Sequence, residues 1–254
     1  MHQTQALVME REALPAGWER LMLHVPELAG SLRPGQLLAV QPGASPFDPL
    51  LKQPFPIMGL DATTSAAALL CGPDASRSLP HRPGDQVSVL GPIGRGWTLH
   101  GQTRNVVLIG PEPDVGALLF LASWASARSV NVALLVGASP DRPLLPPVLL
   151  PAAVEYQLAR GLDAANAALE LLDESLLRWV DAMYTTLPLA VYPALAQRIR
   201  GARMHWNTGF AQGLIVPPMA CFAGICDVCL VPEARRTWRA CVDGPQCDLR
   251  DFVR

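Results

Sequence analysis

Four cysteines near the C-terminus carry the clearest chemical signal in the chain. They are Cys221, Cys226, Cys229 and Cys241, in the spacing C-x4-C-x2-C-x11-C. The first three match the spacing with which plant-type ferredoxins hold a [2Fe–2S] cluster. Four thiolates can also form a closed zinc site, but such sites usually present two C-x2-C pairs. The spacing therefore favours an iron–sulfur cluster and one-electron transfer, while zinc and disulfides stay open as alternatives.

The composition restricts the function classes and the compartment. The chain has 254 residues and a net charge of −2, and 50% of its residues are hydrophobic. This balance provides no basic surface for nucleic acid or for an anionic membrane. The apolar stretches at 117–127 and 143–154 are too short to span a bilayer. Because the N-terminus has no signal-peptide pattern and five of the six cysteines lie after residue 220, we expect a reducing, cytoplasmic setting without membrane contact.

The first part of the chain predicts an antiparallel β-barrel. Apolar or alternating segments are separated by turn signals such as Pro34-Gly35 and Pro83-Gly84. Strands are predicted at 5–10, 19–25, 36–41, 52–60, 66–72 and 86–90. Short strands at this spacing are typical of a small closed barrel.

Strands and helices alternate after residue 104. Strands are predicted at 105–110, 129–137, 152–158 and 179–185, and helices at 115–127, 164–172 and 187–200. This alternation predicts a parallel sheet with helical crossovers. We expect residues 1–102 to form the barrel, 103–210 the α/β domain and 211–254 the cysteine module. Metal ligation must supply much of the order of that last segment.

The residues around the cysteines resemble a known family. Residues 219–229 read MACFAGICDVC, and Cys241 is followed by Val-Asp-Gly-Pro. This is similar to the electron transfer subunit of dihydroorotate dehydrogenase B, which reads roughly M-x-C-G-x-G-x-C-x-G-C and then C-x-D-G-P. The Asp-Gly-Pro is the more specific part, because ordinary plant-type ferredoxins lack it. The resemblance implies a ferredoxin-reductase-like fold: a flavin-binding antiparallel barrel, a nucleotide-binding-like parallel-sheet domain and a small C-terminal iron–sulfur module.

The first flavin motif implied by the resemblance is altered. The family's R-P-x-S falls on Gln53-Pro54-Phe55-Pro56. The Arg that meets the flavin diphosphate is therefore Gln53, and the Ser that meets the isoalloxazine is Pro56. Lys52 could partly replace the lost charge.

Two further flavin segments follow. The family's G-x-G-T lies near residues 72–76, where Gly72 remains, Asp74 replaces a phosphate-facing Gly and Ser76 stands for the Thr. The family's G-P-x-G-x-G-aromatic is kept from Gly91 through Trp97, although a tight turn between strands accounts for it equally well. The resemblance implies FAD binding through these positions, namely Gln53, Pro54, Phe55, Pro56, Gly72, Ser76, Gly91 and Gly94.

The turn after the first α/β strand departs from the dinucleotide pattern. In such families a glycine-rich loop lets the backbone approach the pyrophosphate at a helix N-terminus. Here residues 110–116 read GPEPDVG. The two prolines remove N–H donors, and Glu112 and Asp114 place negative charge where a pyrophosphate would lie. Pro113 and Asp114 also start a helix well, which is the plainer interpretation. The family's later C-G-P keeps only Pro188, so the sequence argues against NAD.

The resemblance implies an electron transfer subunit that relays electrons between FAD and a partner through a [2Fe–2S] cluster. The implied partner is the catalytic flavoprotein subunit of a dihydroorotate dehydrogenase in pyrimidine biosynthesis, bound in a hetero-oligomer. Two alternatives stay open: a degenerate paralogue that keeps the cluster as a wiring or docking module without NAD, and the reductase subunit of another flavoprotein complex. No catalytic residue is predicted, because the five histidines show no ligand or triad spacing.

Overall fold

A closed antiparallel barrel forms the first part of the chain. The computed structural model describes residues 1–43, 50–72, 79–112, 114–141, 144, 146–232 and 237–253. The barrel strands are β1 (His2–Ala13), β2 (Glu19–His24), β3 (Leu37–Val40), β4 (Gln53–Asp61), β5 (Ala66–Cys71) and β6 (Gln86–Ile93), and a short helix α1 (Pro26–Ala29) follows β2. They close in the order β1-β2-β5-β4-β3-β6. The predicted antiparallel barrel is therefore confirmed.

Alternation of side chains explains why these segments close into a barrel. Along β1, Ala6 and Val8 are buried while Leu7 between them is exposed, and Val87 and Val89 of β6 are buried in the same alternating way. Inward side chains from all six strands form one apolar core. Successive residues of a strand face opposite sides of a sheet, so this pattern places one face of every strand inside.

The α/β part contains a six-stranded sheet. Its elements are β7 (Asn105–Pro111), α2 (Gly116–Ser126), β8 (Asn131–Ala138), β9 (Val154–Arg160), α3 (Ala164–Glu170), α4 (Glu174–Trp179), β10 (Ala182–Thr185), α5 (Tyr192–Ala202), β11 (Ala211–Leu214) and β12 (Gln246–Asp248). The strand order is β12-β11-β10-β7-β8-β9. All neighbouring pairs are parallel except β11 and β12. The predicted parallel sheet is confirmed.

The central strands are buried on both faces, as parallel strands between helices must be. Every residue of β7 from Val106 to Pro111 is buried. Asp163 and Asp173 cap α3 and α4 by accepting backbone N–H groups of the first helical turn. None of the described helices combines the length and the apolar character needed to cross a bilayer.

The last two strands belong to the segment predicted as the cysteine module. β11 pairs with β10, and β12 returns to pair with β11, with Leu214 opposite Gln246. The described residues between them, 215–232 and 237–245, lie outside the sheet and include all four predicted ligands. The two strands therefore hold both ends of the cysteine segment side by side.

Candidate functional site

The cysteine segment is anchored by apolar side chains that reach into the main core. Met219, Phe222 and Trp238 are at most 5% exposed and share a core with Tyr192 of α5. Trp238 also contacts Phe252 edge to face, with ring centroids 5.3 Å apart. This burial fixes the base of the loop, so the cysteines are presented from a packed platform.

Cys221 lies inside a wrapped turn of backbone. Phe222 and Gly224 have left-handed backbone conformations, with φ of 55° and 73°. The chain therefore curls back, and the N–H groups of Ala223 and Ile225 each donate to Cys221 Sγ at 3.4 Å. These two donors, with further hydrogen bonds from Cys226, lower the pKa of Cys221 to about 6. The turn thus favours a thiolate at Cys221.

Cys229 and Cys241 form a second close pair. Their sulfur atoms are 3.3 Å apart. A short antiparallel backbone contact brings them together. The Ala240 N–H donates to the Cys229 C=O, and Leu230 and Arg239 form an isolated antiparallel β-bridge. Burial and the hydrogen bond with Cys229 raise the pKa of Cys241 to about 12, although the Gly224 N–H opposes this shift.

The four thiols therefore gather as two neighbouring pairs. Cys226 donates a hydrogen bond to Cys221. The negative charge of the Cys221 thiolate contributes to the raised pKa of Cys241, so the two pairs lie near each other. Within the described residues, no three His, Cys, Asp or Glu side chains are grouped so that they could hold one metal ion. All six cysteines are free thiols. The fifth cysteine of this region, Cys247, instead contacts Tyr192 Oη at 3.9 Å.

The outer face of the cysteine loop is apolar. Ile225 is 81% exposed, Val228 52% and Val242 45%, and the neighbouring Cys226 is exposed as well. The charged neighbours Asp227 and Arg239 pair with each other. The rim around Cys226 consequently presents branched aliphatic side chains to solvent.

A cavity of about 700 Å³ lies between the barrel, the sheet and the base of the cysteine segment. Its wall is formed by residues 53–56, 70, 114, 186–189 and 214–218. Most of these side chains are aliphatic or proline. Two buried polar atoms, Gln53 Oε1 and Thr186 Oγ1, have no hydrogen-bond partner among the described residues. The cavity is a mainly apolar slot whose described wall also carries these two polar atoms and the carboxylate of Asp114. A mainly apolar wall with a few polar groups is usual for a site that binds a small organic ligand.

The structure separates the predicted flavin residues into two groups. Gln53, Pro54, Phe55 and Pro56 of β4 are in the cavity wall. Gly72 follows β5, and Ser76 lies outside the described residues. Lys52 donates to Ser88 Oγ at 3.0 Å, and burial lowers its pKa.

Gly91 and Gly94 lie away from the described cavity wall. A Cβ at Gly91 would meet the Leu38 side chain of the neighbouring strand β3. Gly94 has φ of 88°, and a Cβ there would collide with Pro245, just before β12. The structure thus places Gly94 where the barrel meets the end of the cysteine segment.

Sequence reasoning missed Thr186 and residues 214–218 as parts of the cavity. Thr186 lies next to β10, and no local pattern distinguishes its hydroxyl from that of the buried Thr185. Pro217-Pro218 did carry a signal, because two prolines before Met219 imply an extended approach to the cysteines. Only the assembled fold brings these residues to β4.

Comparison with known proteins agrees with the sequence resemblance. No family model matches the chain. Curated relatives are named as the electron transfer subunit of dihydroorotate dehydrogenase B (NAD(+)). The one from Geobacillus thermodenitrificans is 27% identical over 221 residues, which cover 84% of this chain and 83% of that protein.

Solved structures show the same fold. The NADH-dependent reduced ferredoxin–NADP oxidoreductase, studied for flavin-based electron bifurcation, covers 97% of this chain and 88% of its own, with a TM-score of 0.74 and 17% identity. Phthalate dioxygenase reductase covers 82% of this chain and 66% of its own, with a TM-score of 0.57 and 16% identity. The resemblance to the dihydroorotate dehydrogenase B electron transfer subunit and the ferredoxin-reductase-like fold are therefore both confirmed.

Proposed function

We propose that the chain is an electron transfer subunit that relays electrons between FAD and a partner subunit through a [2Fe–2S] cluster held by Cys221, Cys226, Cys229 and Cys241. The observation that carries this proposal is the pairing of four thiols around backbone N–H groups. Six free thiols also fit a reducing compartment, which we take to be the cytoplasm.

The donor set fits a two-iron cluster. Each iron of a [2Fe–2S] cluster takes two protein ligands. Cys221 with Cys226, and Cys229 with Cys241, provide two such pairs. A structural zinc ion would need all four thiols around one point. The N–H groups of Ala223, Gly224 and Ile225 would hydrogen-bond to ligand sulfurs and favour their ionised form.

The cavity fits the ring system of a flavin better than its phosphates. The walls from Pro54 to Pro56 and from Leu187 to Leu189 are apolar, and Gln53 and Thr186 add polar atoms to the lining. The described wall contains no Lys or Arg, and Asp114 is its one charged residue. We therefore assign the isoalloxazine ring to this cavity. The diphosphate of FAD would be bound by residues outside the described cavity wall.

The cavity and the cysteine loop are joined by one short piece of chain. Residues 214–218 line the cavity, and Cys221 follows three residues later. Three residues extend over at most about 11 Å. When bound, the cluster would carry single electrons, and FAD would convert between the two electrons of a hydride and the single electrons of the cluster. Residues 214–221 therefore keep the cavity and Cys221 close to each other. The buried side chains of Met219 and Phe222 exclude water from the base of the cysteine segment.

The apolar rim at Cys226 is the proposed docking surface for the partner, which we take to be a dihydroorotate dehydrogenase catalytic subunit in a hetero-oligomer. Ile225→Glu should weaken co-purification of the two subunits at least about tenfold, since it places a charge in a desolvated contact. Leu162→Glu, at a residue 97% exposed elsewhere on the surface, is the matched control. An equal loss of co-purification in both variants would show that the rim is not part of the interface with the partner.

The proposal is tested by purifying the full chain without oxygen and recording its visible spectrum and the EPR signal after reduction. Flavin bands together with a reduced-cluster signal are expected. A colourless protein with one zinc per chain would contradict the proposal. Dihydroorotate-dependent reduction of the chain in the presence of the catalytic subunit would test the assigned partner.

A second candidate function is a wiring module that holds the cluster without FAD. The observation that favours it is the lack of a positively charged side chain in the described cavity wall. The same spectrum distinguishes the two, because a wiring module would show cluster absorption with no flavin bands.

A further inference from the structure

A second hollow lies at the edge of the sheet opposite the cavity. The cavity is lined in part by residues that follow β10 and β11, at the carboxyl ends of these parallel strands. The second hollow lies at the amino end of β11, because its lining comes from the connection between α5 and β11 and from the segment after the antiparallel strand β12. Its volume is about 240 Å³. We call it the arginine pocket, and its described wall consists of Arg200, Arg203, Met204, Trp206, Arg250 and Val253.

The wall of the arginine pocket carries positive charge only. Arg200 lies in the last turn of α5, Arg203 directly follows that helix, and Arg250 lies in the short 3-10 turn after β12. The described wall contains no Asp or Glu. Within the described part of the chain, no ion pair includes any of these three arginines. Like charges in one concave wall repel each other and together attract an anion.

The carboxylates of the neighbouring segment do not neutralise the arginine pocket by direct pairing. One oxygen of Asp248 accepts the backbone N–H of Gly209, and the other accepts the backbone N–H of Arg250. Asp251 follows Arg250 in the sequence but lies outside the described wall. The negative charge closest in sequence is therefore turned to the backbone or placed outside the pocket.

Capping of helix ends accounts for only part of this arginine cluster. The Ala202 C=O, at the end of α5, accepts from Nε of Arg178, which is not in the described wall. Arg203 Nη1 donates to the carbonyls of Leu177 and Val180 at the end of α4, both at 2.7 Å. These two bonds hold the Arg203 guanidinium in place, while Nε and Nη2 keep their N–H groups for another acceptor.

The other two arginines have still more donors to spare. Among the described residues, the Arg200 side chain makes no hydrogen bond, and its guanidinium lies 5.9 Å from the centre of the Trp206 ring. Arg250 donates through Nη1 to Thr208 Oγ1 at 2.8 Å, and no described acceptor takes its remaining N–H groups. Trp206 Nε1 likewise has no described acceptor, and its N–H dipole adds to the positive potential. The arginine pocket thus presents more donors than the protein itself uses.

We propose that the arginine pocket binds the phosphoryl group of a small phosphorylated molecule. A guanidinium is a planar fork of N–H donors that matches two oxygens of a phosphate. A phosphate dianion balances several positive charges better than the single charge of a carboxylate does. This inference goes beyond the proposed function, since the pocket contains none of the residues assigned to the flavin or the cluster.

The size and rim of the arginine pocket fit more than a bare phosphate ion. A volume of about 240 Å³ is several times the share of one water molecule in the liquid, about 30 Å³. Met204 is exposed at the rim, and the Trp206 ring forms part of the wall. These two side chains offer apolar contact to the carbon atoms attached to the phosphate.

Calorimetric titration of the full chain, as isolated and dialysed free of phosphate, tests the proposal. Inorganic phosphate and glycerol 3-phosphate are added separately, above the second pKa of phosphate. We expect one site per chain with a Kd below about 5 mM. Tighter binding of glycerol 3-phosphate would support the proposal and identify an organic phosphate as the ligand, and tighter binding of inorganic phosphate would support the phosphoryl site with the free ion as its ligand. No saturation by either compound up to about 50 mM would overturn the proposal.

A pair of variants locates the binding. Arg200→Gln with Arg250→Gln should raise the Kd at least about tenfold, because charge-assisted hydrogen bonds are lost. Both side chains are exposed, so the fold should persist. Arg82→Gln with Arg104→Gln removes the same charge at two exposed positions outside the described wall and is the control. An equal rise of the Kd in both pairs, or no rise in the first pair, would refute the assignment to this pocket.

The titration does not depend on the flavin or the cluster. The visible spectrum and the reduced EPR signal of the Arg200→Gln, Arg250→Gln protein should match those of the unchanged chain, because the arginine pocket lies at the opposite edge of the sheet from the cavity. A chain that lacked both cofactors would contradict the proposed function, and the phosphate titration would still decide the role of the arginine pocket.

Discussion

The cysteine loop and the turn after β7 are both tight connections beside buried strands, yet they use backbone N–H groups in opposite ways. In the cysteine loop, the N–H groups of Ala223 and Ile225 point at the sulfur of Cys221. In the turn after β7, the N–H of Glu112 closes onto the carbonyl of Gly137. The path of a few residues, more than the surrounding fold, therefore decides whether a loop can hold a negatively charged group.

The difference arises from residues that allow or prevent a left-handed backbone. Gly224 and its neighbour Phe222 have positive φ, which turns successive peptide groups toward one point. Pro111 and Pro113 have fixed φ and no N–H. The same fold therefore holds one loop suited to an anionic cluster and another that resembles an ordinary strand-to-helix connection.

The largest expected effect comes from removing one ligand of the cysteine loop. Cys226→Ser should abolish the cluster signal and increase hydrogen exchange between residues 215 and 245, because ligation supplies much of the order of that segment. The barrel should keep its exchange protection. Cys71→Ala, a change at a buried barrel cysteine, should leave the signal intact. A normal reduced-state EPR signal in Cys226→Ser would contradict the ligand assignment.

Thiol reactivity tests whether the donors of the loop act as described. In the cluster-free chain at pH 7, Cys221 should react with iodoacetamide at least about 100-fold faster than Cys241, because only the thiolate attacks. The pKa of Cys221 is lowered to about 6 and that of Cys241 is raised to about 12. The Cys221 rate should fall about tenfold from pH 7 to pH 5, as the thiolate is protonated below its pKa. Equal rates, measured by peptide mass spectrometry, would show that the N–H groups do not favour the thiolate.

The contact between the barrel and the end of the cysteine segment gives the next largest effect. Gly94→Ala should lower the free energy of unfolding by about 2–4 kcal/mol, since it combines backbone strain with a collision at Pro245. Gly84→Ala is the control, because Gly84 has φ of 94° with no atom near its Cβ position. It should cost only the strain, about 1–2 kcal/mol. An equal loss of free energy of unfolding in the two variants, measured in urea, would show that Pro245 moves aside without a cost in stability.

The smallest effect concerns two neighbouring threonines beside the turn after β7. Thr186→Val removes a buried hydroxyl that has no partner among the described residues, so stability should change by less than about 0.5 kcal/mol. If the hydroxyl serves the flavin, the Kd for FAD should rise several-fold. Thr185→Val removes the acceptor of the Leu187 N–H and should cost about 1–3 kcal/mol. Thermal unfolding and flavin release, measured on both variants, separate the two roles.

The barrel could be predicted from the sequence because each strand combines local alternation with Pro or Gly at its ends. The strands β11 and β12 could not be predicted from the sequence. They have only four and three residues, too few to show the alternation of apolar and polar side chains, and they are recognised only by their pairing in the assembled sheet. The helix α4 was not predicted, although Asp173 is a typical N-cap residue and accepts the Leu176 N–H in the structure. The helix predicted from Leu187 begins at Tyr192, since a tight 3-10 turn at Leu189–Val191 precedes it.

The candidate site divides in the same way. The cysteine pattern lies within one segment, so spacing alone suggested a ligand set. That set stays a prediction, and the structure places the four thiols as two neighbouring pairs. The cavity is assembled from β4, the segment after β10 and the segment after β11. Thr186 and Gln53 are far apart in sequence, and no local pattern relates two side chains that meet only through tertiary packing.

The pairing of Leu214 with Gln246 in β11 and β12 makes the cysteine segment a closed hoop rather than a tail. If the proposed cluster were lost to oxidation, the four thiols would remain tethered at both ends, and loop closure would not have to be achieved again from a free end. Damage would then stay local, and a rebuilt cluster would find its ligands already confined to a small volume.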